Sequence, residues 1–383
     1  MVLYRLLHLA VLSIFITPIL SFALRNDDSN VIFLNVLFRH GDRYPKNTAG
    51  DSEWYPNDPH INNTFSPFGP GQLTLNGKMR EYNIGKKLRE LYNKFLGVTY
   101  TPNLVAARST NSDRTKMSLQ LLLAALYPPP PNQKWHPALD WQPIPYSSVP
   151  KPEDGLLQPA EACPLFKEEY EANLQSSEVQ EKVAAFETDM EMLQNYTGRN
   201  ITTVKDAFHL YHGLIAITRL GLPLPEWATR TQLYPESMAR MANLQYSLES
   251  YNTKLKRRNG GMLLRRMIDD MNRIVAGDKS MKGRKLNLYS AHESNINAFL
   301  QTLGILESPH VPEYSSGVFV ELSQEEGEYF VRVFYYLGIP AIVKPMTIPE
   351  CASKCPLKHF IKLLKKVTPA DEELKCDKTR SSL

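Results

Sequence analysis

The stretch VIFLNVLFRHGDRYP, residues 31–45, is the part of the sequence from which we predict the fold. Its apolar, β-branched first half, residues 31–38, is typical of a strand buried in a parallel sheet. The strand is predicted to stop at the charged residues Arg39, His40 and Arg43, and open α/β sheets bind ligands at the carboxyl ends of their strands. An imidazole between two guanidiniums suits attack on a phosphoryl group whose oxygens the arginines hold. The alternative is a strand that ends in a solvated basic turn.

Two later stretches repeat this arrangement. Residues 104–107 are predicted to form a short parallel strand that ends at Arg108, and residues 285–289 a third strand that is followed by His292 and Glu293. Three strand ends would then present arginine, histidine and glutamate side chains on one rim of the sheet. Because their chemistry is complementary, we predict a single phosphate pocket there.

Helices are predicted between these strands. Thr74 can cap a helix whose apolar residues recur at three- and four-residue spacing and would face the sheet. These residues are Met79, Tyr82, Leu88, Leu91 and Phe95. A second helix is predicted over residues 113–126, and a third runs to Leu303 from a cap at Ser294 or Asn295. The last two helices begin beside strand ends, where their N-terminal amides favour an anion.

The middle of the chain has a different pattern. Residues 143–159 are rich in proline and are predicted to be connecting chain, and helical periodicity follows from Cys163 to about Asn259. The helices are predicted at residues 179–196, 203–220 and 235–256. We therefore predict an α/β fold in which a large mixed, mainly parallel sheet is flanked by helices and carries an inserted α-helical cap. The sheet domain would comprise residues 24–150 and 260–383, and the cap residues 151–259.

The end of the chain is predicted to add an antiparallel hairpin at the sheet edge. Residues 317–322 and 329–336 alternate around a turn at residues 323–327, and a short helix follows at residues 357–367.

The N-terminus resembles a signal peptide. Arg5 precedes an apolar run over residues 6–20, and Ser21-Phe22-Ala23 has small residues at both positions of a cleavage site. Residues 1–23 are therefore predicted to be removed and the mature protein to be extracellular. A retained anchor is the alternative, but the run is shorter than the ~20 residues that span a bilayer.

Secretion affects how the cysteines are interpreted. The four cysteines are Cys163, Cys351, Cys355 and Cys376, and an even number in an oxidising compartment favours two disulfides. Zinc binding is the alternative, but the C-x3-C spacing lacks a second ligand pair. Asn62, Asn195 and Asn200 each begin an N-x-[ST] sequon, which predicts glycosylation of a secreted chain.

Composition and charge exclude several classes of partner. The chain has 383 residues, of which 43% are hydrophobic and 22% charged, as in ordinary globular proteins. Its net charge of +4 is too small to indicate nucleic-acid binding.

His209 and His212 have a spacing that could ligate a metal, but no carboxylate or cysteine joins them, which favours packing or surface roles. No metal, stable membrane anchor or nucleic acid is expected.

Together these residues predict hydrolysis of a small phosphomonoester through a covalent phosphohistidine. His40 would be the nucleophile, and Glu293 would protonate the leaving alkoxide and then activate water. A carboxyl with an ordinary pKa of about 4.3 must first be protonated, which favours acid pH. Four side chains would neutralise the phosphate oxygens, namely Arg39, Arg43, Arg108 and His292.

Residues 39–45, Arg-His-Gly-Asp-Arg-Tyr-Pro, resemble the R-H-G-x-R-x-P signature of the histidine acid phosphatases. Segments at residues 71–77, 108–115, 141–145 and 290–293 are similar to family segments in the same order. Within the family, residues 200–203, 312–317 and 335–340 most resemble the venom acid phosphatases of stinging insects.

The resemblance has several implications. It implies an α/β domain with an α cap and no cofactor, and disulfides between Cys163 and Cys376 and between Cys351 and Cys355. One departure is Glu293, because animal members usually carry aspartate after the histidine. Asp113 and Arg114 are interpreted as structural, a capping acid and a buried ion-pair partner.

Three alternatives remain at this point. A phosphoglycerate-mutase-like transferase shares the R-H-G core, but the signal peptide and the paired cysteines argue against it. A secreted binding or allergenic protein with an inactive pocket would use the same fold. A homodimer is also left open.

Overall fold

The fold is described from a computed structural model that covers residues 30–47 and 52–376. The predicted signal peptide lies outside these residues. An eight-stranded sheet has the order β3-β2-β4-β1-β5-β6-β7, with β8 paired to β6. The strands are β1 (Val31–Arg39), β2 (Val105–Thr110), β3 (Ser147–Val149), β4 (Leu286–Ala291), β5 (Gly317–Glu325), β6 (Glu328–Tyr336), β7 (Val343–Met346) and β8 (Cys355–Pro356).

The sheet is mixed, as predicted. Strand β1 pairs in parallel with β4, and β2 pairs in parallel with β4 and β3. The pairs β1–β5, β5–β6, β6–β7 and β6–β8 are antiparallel. The predicted α/β class and the hairpin are confirmed, but the parallel share is smaller than expected. The reason is that β7 and β8, which are too short to leave a periodic pattern, extend the antiparallel half.

Thirteen α-helices occur in the described residues. They are α1 (Leu75–Leu96), α2 (Asp113–Leu126), α3 (Pro159–Ala162), α4 (Pro164–Leu174), α5 (Ser177–Ala184), α6 (Glu187–Thr197), α7 (Val204–Arg219), α8 (Glu226–Arg230), α9 (Met238–Leu248), α10 (Thr253–Arg258), α11 (Gly260–Val275), α12 (Glu293–Leu303) and α13 (Leu357–Leu364).

Strand β1 is buried on both faces because helices cover each side of the sheet. Its Leu34 and Phe38 side chains belong to a core shared with α1 and α2. The alternate residues Phe33 and Leu37 belong to a second core shared with α11, α12 and α13. This two-sided burial explains the nearly continuous apolar run in the sequence.

Helix α1 presents a different face to the sheet from the predicted one. Thr74 caps it as expected, with its hydroxyl accepting a hydrogen bond from the Gly77 amide at 2.9 Å. Leu88 and Phe95 are buried, but Met79 and Tyr82 are 60% and 39% exposed. Small residues face inward instead, because the helix packs closely on its neighbours. A Cβ on Gly77 would clash with the Asp42 carbonyl, and one on Gly85 with the Leu122 carbonyl.

Helices α3 to α10 form the helical region between β3 and β4. The predicted helix at 179–196 is two helices, α5 and α6, and α7 and α9 lie within the other predicted helices. Leu193, Leu210 and Met241 belong to a core of this region that is separate from the two sheet cores. The connecting chain predicted at 143–159 is wrong in part, because Ser147–Val149 forms β3. The exact boundaries predicted for the cap remain a prediction.

Both predicted disulfides are present. Cys163 is bonded to Cys376 and Cys351 to Cys355, with Cα–Cα distances of 5.3 and 5.6 Å. The first joins the N-terminus of α4 to the last described residue. No helix in the described ranges is both long and apolar enough to span a bilayer.

Candidate active site

His40 lies where β1 ends between two neighbouring strands. Its amide donates a hydrogen bond to the Ala291 carbonyl of β4 at 3.1 Å, and its side chain is buried. The imidazole Nδ1 is 2.9 Å from the Gly41 carbonyl oxygen. Because a carbonyl can only accept, Nδ1 carries the hydrogen and Nε2 keeps its lone pair.

The charge state of His40 follows from its surroundings. Burial lowers the pKa of His40 well below its ordinary value, and the positive charges of Arg114 and Arg39 act in the same direction. The imidazole is therefore neutral at acid pH, which is the state in which Nε2 can act as a nucleophile.

Arg39 is held from several sides. Its Nη1 donates to the Pro312 carbonyl at 2.6 Å, and its Nε is 3.0 Å from Glu293 Oε2. The guanidinium carbon lies 3.9 Å from the centre of the Tyr314 ring. Its Nη2 is buried and has no hydrogen-bond partner among residues 30–47 and 52–376. An orphaned donor beside His40 is suited to an anion.

Arg43 is bound on the other side of the motif. It forms a two-pronged ion pair with Glu53, in which Nη1 donates to Oε2 at 2.7 Å. Glu53 is buried and also accepts from the Lys46 amide at 2.8 Å. Burial alone would raise the pKa of Glu53, but Arg43 and Lys46 outweigh it and lower the pKa. Arg43 therefore anchors the loop after His40.

His292 occupies the N-cap of α12. Its amide donates a hydrogen bond to Oδ1 of Asn295 at 3.1 Å, and its ring centre is 5.4 Å from that of His40. On the ring, Nε2 is 3.0 Å from Thr110 Oγ1 and Nδ1 is 3.4 Å from Arg114 Nη2. Burial lowers the pKa of His292 well below its ordinary value, and the Arg114 charge lowers it further.

Glu293 begins α12 and completes the cluster. Its Oε2 is 3.9 Å from His40 Nε2, and its side chain is 12% exposed. Burial alone would raise the pKa of Glu293, but the positive charge of Arg39 outweighs it and holds the pKa well below its usual range. In the site as described, Glu293 is a carboxylate.

The ligand that suits this cluster is an anion. Within the described ranges, His40, His292 and Glu293 are the group of three whose ligating atoms are close enough for a metal, within 4.8 Å. The guanidiniums of Arg39 and Arg114 lie beside them and would repel a cation. An oxyanion such as phosphate matches the charge and the donors.

Comparison with known proteins identifies the family. The profile of the histidine phosphatase superfamily (branch 2) matches residues 30–336. The chain belongs to this superfamily. A venom acid phosphatase of Apis mellifera is 42% identical over 90% of this chain and 87% of its own length. Prostatic acid phosphatase of Bos taurus is 34% identical over 90% of this chain and 87% of its own length. The predicted resemblance is confirmed.

A solved structure shows the same fold. Hafnia alvei phytase in complex with tartrate has a TM-score of 0.65 at 16% identity, with 91% of this chain and 98% of that chain covered. At this identity the likeness concerns the fold alone. It agrees with the sheet and the helical region of this histidine phosphatase.

Arg108 is not where the sequence analysis placed it. Its Nη2 is 2.5 Å from Oδ1 of Asp154, a carboxylate that is fully buried. The predicted strand ended at Ala107, which would put Arg108 on the rim. Strand β2 instead continues to Thr110, so Arg108 lies within the strand and pairs with Ser147 of β3. The assignment of Arg108 to the phosphate pocket is therefore corrected.

Arg114 takes the place expected for Arg108. It lies in the first turn of α2, just after the true end of β2, and its guanidinium is beside His292. From the sequence, Arg114 was predicted to be a structural ion-pair partner. Arg114 could have been identified from the sequence, because it lies in the first turn of the helix that follows the strand end. Asp113 is exposed, and Gln72 Nε2 is 3.3 Å from its carboxylate.

Two further residues of the site were missed. Glu53 was not predicted to belong to the site, and only its partner Arg43 marks it. His212 is buried, and its Nε2 is 4.0 Å from Glu293 Oε1. The predicted packing role does not account for this closeness to Glu293. His209, on the same helix, is partly exposed.

We expect Arg114→Ala to weaken binding of inorganic phosphate about tenfold or more, because a hydrogen bond to a charged group contributes about 1.5–3 kcal/mol. Isothermal titration calorimetry at acid pH measures this. Arg108→Ala is the control, and it should leave phosphate affinity unchanged but lower stability, because Asp154 would be a buried unpaired charge. Equal losses of affinity in both variants would contradict the corrected assignment.

Proposed function

We propose that this histidine phosphatase hydrolyses phosphomonoesters through a phosphohistidine formed on His40. The observation that supports it most is the state of His40, a buried neutral imidazole whose Nε2 lone pair faces Glu293 Oε2 at 3.9 Å. Arg39, Arg114 and His292 surround that nitrogen with donors and positive charge. Such donors stabilise the negative charge spread over the transferred phosphoryl oxygens.

The reaction has two steps. His40 Nε2 forms a bond to phosphorus while the bond from phosphorus to the alcohol oxygen breaks, and Glu293 gives its proton to that oxygen. Water then attacks the phosphohistidine, and Glu293 takes a proton from it. Inorganic phosphate leaves, and His40 and Glu293 return to their starting states.

The proton on Glu293 needs a source, because the carboxylate form is favoured in the site as described. A bound phosphate anion would pair with Arg39, the group whose positive charge stabilises the Glu293 carboxylate. Its negative charge would therefore raise the pKa of Glu293. At acid pH a phosphomonoester arrives as the monoanion, since its second pKa is about 6. The substrate can therefore bring the proton, which supports an acid optimum.

We also propose that the protein is secreted and glycosylated. Two disulfides support an oxidising compartment, and the three sequon asparagines, Asn62, Asn195 and Asn200, are exposed. The likeness to a venom protein agrees with this. Amino-terminal sequencing of protein from the culture medium should begin after Ala23, and retention of the protein inside the cell would contradict the proposal.

Trapping the intermediate tests the mechanism. After a short reaction with phosphorus-labelled substrate, quenching should leave label on the protein in an acid-labile, base-stable bond, as expected for phosphohistidine. His40→Ala should abolish both the label and turnover while the melting temperature stays close to that of the wild type. Strong inhibition by EDTA with no trapped label would sink the proposal, and an inactive, correctly folded wild type would favour a binding protein.

Glu293→Gln should make the rate depend on the leaving group. An alkyl alkoxide needs a proton as it leaves and p-nitrophenolate largely does not, and general acid catalysis is worth about 10²–10⁴-fold. The variant should therefore lose far more activity in phosphorylation of His40 by alkyl phosphates than by p-nitrophenyl phosphate. With p-nitrophenyl phosphate the variant should show a burst of p-nitrophenol release. The reason is that phosphorylation of His40 stays fast, whereas its dephosphorylation needs the base that the variant lacks. Equal slowing of both substrates without a burst would place the acid elsewhere.

A further inference from the structure

The carboxylate of Glu293 contacts both halves of the molecule. Its Oε2 faces Arg39 and His40 of the sheet, and its Oε1 is 4.0 Å from His212 Nε2 in α7. The same nitrogen of His212 is 3.0 Å from the hydroxyl of Tyr246 in α9. A short chain of polar groups thus runs from the proton donor into the helical region.

His212 and Tyr246 are fixed in place by packing. They are 1% and 2% exposed, and Phe208 contacts both rings edge-on, with ring centres 4.5 Å from His212 and 5.2 Å from Tyr246. Side chains packed in this way keep one rotamer, so the imidazole presents Nε2 to Glu293 at a defined position.

Packing alone does not account for a histidine here. His212 Nδ1 is buried and has no hydrogen-bond partner in the described part of the chain. A buried polar atom without a partner costs about 1–3 kcal/mol, which an apolar side chain of similar size would avoid. His212 Nε2 forms a hydrogen bond with the Tyr246 hydroxyl at 3.0 Å and lies 4.0 Å from Glu293 Oε1, and an apolar side chain could make neither contact.

The length of Glu293 connects it to His212. Glutamate is one methylene longer than aspartate, and the extra length carries the carboxylate away from the α12 backbone toward α7. With one oxygen beside His212, the other is directed at His40. An aspartate at this position would withdraw its carboxylate from His212.

We propose that His212, held by Tyr246, is a positioning residue for Glu293 and keeps its Oε2 aimed at the atom that leaves phosphorus. This rests on the proposed function, in which Glu293 is the proton donor. His212 acts by limiting the orientations of a long carboxylate, and misplacing such a group by about 1 Å can cost about 10²-fold in rate.

Kinetics of His212→Ala and Tyr246→Phe test this. For an alkyl phosphate, His212→Ala should lower kcat about tenfold or more with little change in KM, and the loss for p-nitrophenyl phosphate should be much smaller. Tyr246→Phe should show the same pattern more weakly. His359→Ala is the control, because this histidine lies in α13 and contacts the Glu350 carbonyl. It should leave both rates unchanged.

A double-mutant cycle with Glu293→Asp gives the decisive comparison. If His212 acts through the longer carboxylate, His212→Ala should cost much less in the Glu293→Asp background than in the wild type. His212→Asn, which keeps a polar donor, should recover part of the loss and serves if His212→Ala does not fold. Additive effects, or equal losses for both substrates, would overturn the role of His212.

These outcomes separate the two proposals. A wild type that forms no phosphohistidine refutes the proposed function. The other case is a wild type that forms phosphohistidine, a Glu293→Gln variant whose rate depends on the leaving group, and a His212→Ala variant whose rate does not. This result would support the proposed function and refute the positioning role.

Discussion

The buried guanidinium of Arg39 is the interaction on which the rest of the site depends. A charge removed from water costs several kcal/mol unless other groups replace its hydration. Here the replacement comes from Glu293, from the Pro312 carbonyl and from the ring of Tyr314. These groups belong to α12, which follows β4, and to the segment before β5, and β4 and β5 are the two strands that flank β1. The groups that compensate this one arginine therefore bring three parts of the chain into contact beside His40.

The sequence predicted this centre because the relevant signals are local. An apolar run that ends in Arg39 and His40 indicates a buried strand and a ligand site, and the pair His292-Glu293 follows a second run of the same kind. In both cases the strand end lies within a few residues of the functional side chain. Arg108 and Arg114 show the limit of this reasoning. The true end of β2 is Thr110, and a displacement of three residues changes which arginine reaches the rim.

Other parts of the site depend on contacts between distant segments. Nothing in the residues around Glu53 marks it as buried, because its burial comes from its ion pair with Arg43 across a loop. His212 and Glu293 meet only after the helical region packs against the sheet. The exposed Met79 and Tyr82 have a similar origin, since the close approach of Gly77 and Gly85 to their neighbours sets which face of α1 turns inward. Such contacts belong to the tertiary fold and leave no periodic pattern.

The bond between Cys163 and Cys376 gives the chain an unusual response to proteolysis. The two cysteines are 213 residues apart, and the segment between them contains most of the helical region and five of the eight strands, β4 to β8. A cut at any peptide bond within this segment leaves the two fragments covalently joined. A nicked molecule would therefore stay a single covalent species until it is reduced, and only then would its two fragments separate.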